Sequence, residues 1–558
     1  MAPAGVHEIC DRYVDDSAAL DPVLATFEGV TGFDDQLPDL SPDGFAARAE
    51  LAERALRAIA EATPADEGER NAAEVFTERV GVELTMHRAG LRSAELNVIA
   101  SPAQNIRAVF DLMPVDTAED WAVIATRLAR VPAALAGYRQ SLWAGVAAGQ
   151  VSARRQAVKV AEQCDVWAGA GGVEPFFAAF VAPAAKVDDA PLDDLRAGAD
   201  AATAAYRELA EFLRTEVAPV APERDAVGEE RYRLFSAEFI GAELDLREAY
   251  EWGWEEFSRL EAEAKEVAER IRPDSTLTEA AAALDADPNY QVRGRQAFED
   301  WMQGLSDAAL ADLRGVHFDI PDRLMRLECL IAPPGGGLGA YYTGPTDDFS
   351  RPGRMWWSVA PDRKVFSTWR ETSTVYHEGA PGHHLQIATA VHQADSLNRF
   401  QRLMTWVPAH GEGWALYAER LMREYGYLDD DGDLLGMLDA HLFRAGRVIV
   451  DIGMHLELEI PRGSGFHEGE RWTPELGLEF MLTRTMAEPA HTRDEIDRYL
   501  GWPGQAPAYK LGERLWLAAR DDARARAGAA FDLKEFHMRA LRMGAMGLDT
   551  LGRRLTEL

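Results

Sequence analysis

The sequence predicts a mainly α protein, a large helical body with a central cleft and a small β-sheet or hairpin near the active site. Three observations carry this. Apolar residues recur at steps of three and four along most of the chain, the spacing of one buried stripe on a helix. Alternating strand patterns are scarce. With 47% hydrophobic and 27% charged residues among 558, the chain can build a core and is not disordered.

In chain order, the helical rhythm runs through 45–62, 118–149 and 193–217. The run VAPVAPERDAVGEE, 217–230, breaks it with two prolines. It predicts a boundary between an N-terminal helical lobe, 1–225, and a metal-site helical lobe, 226–558. Over 243–273, Leu246, Tyr250, Trp254, Phe257, Leu260, Ala264, Val267 and Ile271 share one helix face, and Pro273 ends it. LECLIA (327–332) and RMWWSVA (354–360) are the predicted strands, bracketing a Pro/Gly-rich loop over 333–353. Helices resume over 403–424 and 434–458.

Charge and cysteine usage exclude several functions. Against 58 Lys and Arg stand 93 Asp and Glu, a net −35, so nucleic acid and anionic membranes are excluded as partners. Cys10, Cys164 and Cys329 are too few and too scattered for a disulfide framework or a thiolate metal cluster. No secretory signal is visible at the start and no membrane-spanning run follows, so the expected location is cytoplasmic.

Chemistry concentrates late in the chain. Nine of the thirteen histidines lie between 377 and 491. The sharpest feature is TVYHEGAPGHHLQ, 374–386. A His-Glu pair on a zinc-protease helix supplies a metal ligand, His377, and a base for the activated water, Glu378. The usual second histidine, four residues on, is replaced by Pro381, which cannot bind metal. The double histidine after Pro-Gly takes its place. On a continuous helix His384 shares a face with His377, whereas His383 becomes the ligand if the turn is rephased. Glu412, 28 residues after His384 on a following helix, is the third expected ligand, with Glu419 as a partner that orients an imidazole. Two histidines, a glutamate and one open position are the ligand set of catalytic zinc, one ion per chain. Downstream, His441, Arg444, Arg447, Asp451 and His455 form a polar stripe at helical spacing, where an arginine could grip a substrate carboxylate. Tyr509, beside Lys510, is placed to stabilise an oxyanion, with His455 as helper. Arg447, Lys510 and Tyr342 are the expected substrate contacts.

The blocks YHEGAPGHHLQ, EGWALYAERL, RAGRVIVDIGMH and PGQAPAYKLG, in this order, resemble the bacterial family known as domain of unknown function 885. The resemblance implies a largely helical fold and hands over no substrate. More distantly, the layout is similar to helical gluzincin peptidases, with a carboxylate ligand on the next helix and a tyrosine about a hundred residues later. Together these readings give a zinc-dependent hydrolase acting on peptide or amide bonds of small substrates. The alternatives are a non-haem iron oxygenase using the same ligands, and a non-catalytic binding protein with a degenerate site.

Overall fold

The computed structural model describes residues 5–332, 339–360 and 362–557. The chain is mainly helical, with two small sheets. It divides into two compact units, one formed by Met1–Val227 with Asp494–Trp502, the other by Gly228–Arg493 with Pro503–Leu558. Among the described residues no helix is long and apolar enough to cross a membrane.

The first unit is built from helices whose apolar stripes meet around Phe110, Trp121, Tyr138, Phe177 and Tyr206. The predicted helix over 118–149 is two, Ala118–Leu128 and Val131–Ala147. Pro132 sits in the first turn of the second, where its missing N–H costs nothing. Thr117 caps the first, its hydroxyl accepting from the Asp120 N–H while Asp120 accepts from the Thr117 N–H.

The second unit holds the candidate metal group, and six of its helices matter for it. Helix α1, Leu246–Ile271, buries the predicted stripe from Leu246 to Val267 and is capped by Asp245. Helices α2 (Thr368–Glu378) and α3 (His383–His392) follow each other closely, then α4 (Pro408–Glu424), α5 (Asp431–Leu456) and α6 (Ala508–Ala527). The rhythm over 403–424 stops short of one helix, because Phe400–Met404 forms its own wide turn and Pro408 opens α4.

Small residues set how closely these helices approach. A side-chain carbon on Gly512 of α6 would overlap the Ala409 carbonyl of α4, and one on Gly413 would overlap Gly512. The two backbones therefore cross almost in contact, which fixes the position of Glu412 beside that crossing. Gly436 of α5 meets the Trp369 carbonyl of α2 in the same way.

Five strands form the sheets: β1 (Gln291–Arg293), β2 (Leu327–Ile331), β3 (Ala340–Thr343), β4 (Gly353–Trp357) and β5 (Val365–Ser367). β1 pairs antiparallel with β5, and the other sheet has the order β2-β4-β3. β4 lies between a parallel β2 and an antiparallel β3. Both predicted strands are present as β2 and β4. The stretch read as one long loop holds β3, and its residues 333–338 lie outside the described residues. The outer edge of β2 is covered by side chains: Glu299 accepts from the Ile331 N–H, and Gln303 bonds the Cys329 N–H and the Leu327 carbonyl.

Candidate metal centre

Helix α2 does not continue through Pro381. It ends at Glu378, the chain turns through Gly379–Gly382 with a cis Ala380–Pro381 peptide, and α3 starts at His383. The turn is held by the Gly382 N–H donating to the Tyr376 carbonyl (3.1 Å) and the His384 N–H donating to the Gly379 carbonyl (3.1 Å). The Trp414 indole N–H donates to the Pro381 carbonyl at 2.8 Å. A side chain at Gly382 would overlap the His377 carbonyl, so only glycine fits. Because the helix restarts out of phase, His383 is the histidine that meets His377, with ring centroids 4.8 Å apart and planes at 88°.

Glu412 completes a group of three. Its Oε2 lies 3.2 Å from His377 Nε2 and 3.4 Å from His383 Nε2, and all three atoms lie within 4.8 Å of one another. An ion held at ~2.1 Å from each of its ligands in a tetrahedron spaces them ~3.4 Å apart, so the two glutamate edges fit a small divalent ion. Both histidines are buried and Glu412 is half-buried. Burial pushes the Glu412 carboxyl up, but His383 and His377 outweigh it and hold it well below the ordinary carboxylate range. Burial likewise pushes His377 down, and its carboxylate partners Glu412 and Glu419 lift it to about 9.

Behind His377 stands a second layer. Its Nδ1–H donates to Glu419 Oε1 at 2.8 Å, which leaves Nε2 to bind an ion. Ser373, one turn earlier on α2, donates to the other Glu419 oxygen at 2.7 Å, and His441 Nε2 lies 3.5 Å from it. Glu419→Gln is expected to weaken zinc binding by ~10–100-fold, the usual effect of losing such a partner. Calorimetric titration with zinc checks this, and an unchanged Kd would show that Glu419 does not orient the ligand. Ser373 was missed from sequence, although its place four residues before His377 on one helix face was a readable signal.

The remaining predicted residues divide. Glu378 is buried, and its Oε2 has no hydrogen-bond partner among the described residues; burial raises its pKa against the pull of His383 and His377. Tyr509 lies under two arginines, its ring 4.6 Å from the Arg447 guanidinium carbon and 5.7 Å from that of Arg444. His384 does not join the group: its Nε2 donates to the Leu324 carbonyl (2.8 Å), so its Nδ1 accepts from the Tyr342 hydroxyl (3.0 Å). Tyr342 thus braces that imidazole through its hydroxyl. Lys510, expected to touch substrate, is fully buried between Glu256 (2.8 Å) and Glu513, because an ammonium inside a core must be neutralised. His455 is fully buried against Tyr232 and Asp451. From Arg444 it is a further eleven residues, ~16 Å, along α5, away from the metal group.

The family described as "Bacterial protein of unknown function (DUF885)" matches residues 22–555. A solved structure described as a "putative lipoprotein" from Colwellia psychrerythraea is similar, with 23% identity over 99% of this chain and 98% of its own, and a TM-score of 0.85. Another, a "putative lipoprotein of unknown function" from Shewanella oneidensis, is 18% identical over 99% of this chain and 100% of its own, at a TM-score of 0.74. At these identities the likeness shows the fold. No curated protein matches. That both similar structures are described as lipoproteins overturns the expected cytoplasmic location. The expectation rested on features missing from the chain, and a missing feature does not fix a compartment.

Proposed function

We propose that this chain, which belongs to the bacterial DUF885 family, is a zinc-dependent hydrolase of peptide or amide bonds in small substrates. One observation carries the reading: a buried glutamate with an unpartnered oxygen, Glu378, sits immediately after a ligand of the His377, His383 and Glu412 group. A divalent ion held by those three would make water acidic and polarise a carbonyl. Glu378 Oε2 accepts a proton and passes it to the leaving amine, a task suited to a carboxyl whose pKa is raised by burial. The Tyr509 hydroxyl donates to the developing oxyanion. β3, the other outer strand of this sheet among the described residues, is where an extended peptide would add as a strand, since the edge of β2 is covered.

This layout is similar to that of the helical gluzincin peptidases, with Tyr509 97 residues after Glu412. It departs from them at Pro381, where the four-residue turn supplies His383 in place of the histidine one helical turn on.

Elemental analysis of protein purified without chelator or histidine tag tests the ion. The expected result is about one zinc per chain, lost in His377→Ala and Glu412→Ala and kept in His384→Asn. Iron in its place, or no metal in folded parent protein, overturns the proposal.

A further inference from the structure

Arg444 is a cation with no carboxylate ion pair among the described residues of a strongly acidic protein. With 93 Asp and Glu against 58 Lys and Arg, acidic neighbours are plentiful, and several cations of this unit use them. Lys510 is held by Glu256 and Glu513, Arg420 by the same two, and Arg520 by Glu424. Arg444 makes one hydrogen bond, from Nη1 to the Ala440 carbonyl of its own helix (3.2 Å), and its buried Nε has no partner among the described residues. The acid whose field it shares on α5, Asp439, is engaged by Arg370 at 3.3 Å. A half-buried guanidinium with an unpartnered donor can take up an incoming anion by a charge-assisted hydrogen bond.

Its position is set by the metal centre. His441 lies against Glu419, and Glu419 grips His377. Arg444 is three residues beyond His441 and so on the same face of α5. That brings it level with Glu378, the residue after His377, and its charge acts on that carboxyl. From the other side the Tyr509 ring centroid lies 5.7 Å from the guanidinium carbon, and the buried Nε keeps no partner among the described residues.

We propose that Arg444 receives the free C-terminal carboxylate of a short peptide, with Tyr509 orienting the guanidinium, so that the substrates are peptides cut close to their C terminus. The proposal rests on the hydrolase reading and narrows it to carboxylate-ended substrates. Blocking that carboxylate as an amide removes the charge that Arg444 is positioned to meet.

Equilibrium dialysis of a random tripeptide mixture, in free-acid and C-terminally amidated forms, tests this on the zinc-loaded chain carrying Glu378→Gln, so that nothing is turned over. The free acids are expected to be retained ~10–100-fold more strongly than the amides, the effect of one charge-assisted pairing. Adding Arg444→Gln should erase the difference by weakening the acids alone, and Arg444→Lys should restore part of it. Equal retention of acids and amides, retention of neither, or an undiminished preference in Arg444→Gln overturns the proposal. If the preference holds but the chain with Glu378 intact cleaves none of these peptides, the carboxylate site stands and the hydrolase reading fails alone.

Discussion

Glu378→Gln is expected to lower kcat/KM for peptide hydrolysis by at least about 1,000-fold while leaving the metal content unchanged. The two halves of this expectation come from different parts of the geometry. Glu378 is not among the three groups that converge to hold an ion, so an isosteric amide in its place leaves His377, His383 and Glu412 as they are. The amide cannot accept a proton, and the two other carboxylates described beside the group are engaged, Glu412 by both histidines and Glu419 by His377 and Ser373. Burial makes a neutral side chain at 378 easier to accommodate than the carboxylate, so the variant should fold at least as well as the parent. The same burial raises the pKa of Glu378, so kcat/KM should climb with pH as that carboxyl ionises, and the climb should vanish with the glutamate. Rates on the tripeptide mixture alongside elemental analysis decide the matter. A variant that keeps activity within about tenfold of the parent removes Glu378 from the mechanism.

How far the sequence carried this picture depended on the range of the interaction involved. Helices were legible because their signal is local: the stripe from Leu246 to Val267 is buried as its spacing demands. Breaks at Pro132 and Pro408 obey rules that also read locally. Strand β3 was not legible, since four half-buried residues flanked by glycine and proline show no alternation. At the site, His377, Glu378 and Glu412 could be chosen by residue type and spacing. The choice between His383 and His384 could not be made that way, because it is decided by a four-residue turn pinned by the Trp414 indole, more than thirty positions away. Lys510 was misjudged for a similar reason. One of its neutralising partners, Glu513, is a turn away, but the other, Glu256, comes from a helix 254 residues earlier. Arg444 was picked out as part of a polar stripe, but its isolation from carboxylates is visible only when the whole surrounding shell is known.

The unit that holds the site should also be unusually sensitive to mild acid, and three buried histidines outside the ligand set are the cause. Burial holds His384 and His410 down to about 4, and burial with the charges of Arg520 and His317 holds His537 down to about 3, from an ordinary value of 6.5. Each ring is therefore neutral in the folded chain and protonated in the unfolded chain between pH 6.5 and 4. In that window the unfolded state binds more protons, so stability falls as pH falls. One imidazole with these values costs about 2 kcal/mol at pH 5 relative to pH 7, and three cost about 6 kcal/mol, comparable to the whole stability of many domains. Carboxyls raised by burial titrate in the opposite sense, Glu28 at about 8 and Asp433 at about 6, so the parent profile alone does not isolate the effect. The comparison with a variant does. His537 takes part in one hydrogen bond, with the Tyr417 hydroxyl at 2.8 Å, and its Nδ1 has no partner among the described residues. In His537→Asn the metal-free chain should be less stable than the parent at pH 7, through lost packing against Phe318 and Trp414. That deficit should shrink by about 2 kcal/mol at pH 5, because the variant no longer has to exclude a proton from the core. Urea unfolding of both chains at matched pH values measures the gap directly. Parallel stability profiles from pH 7 to pH 5 would mean that His537 is not held neutral by burial.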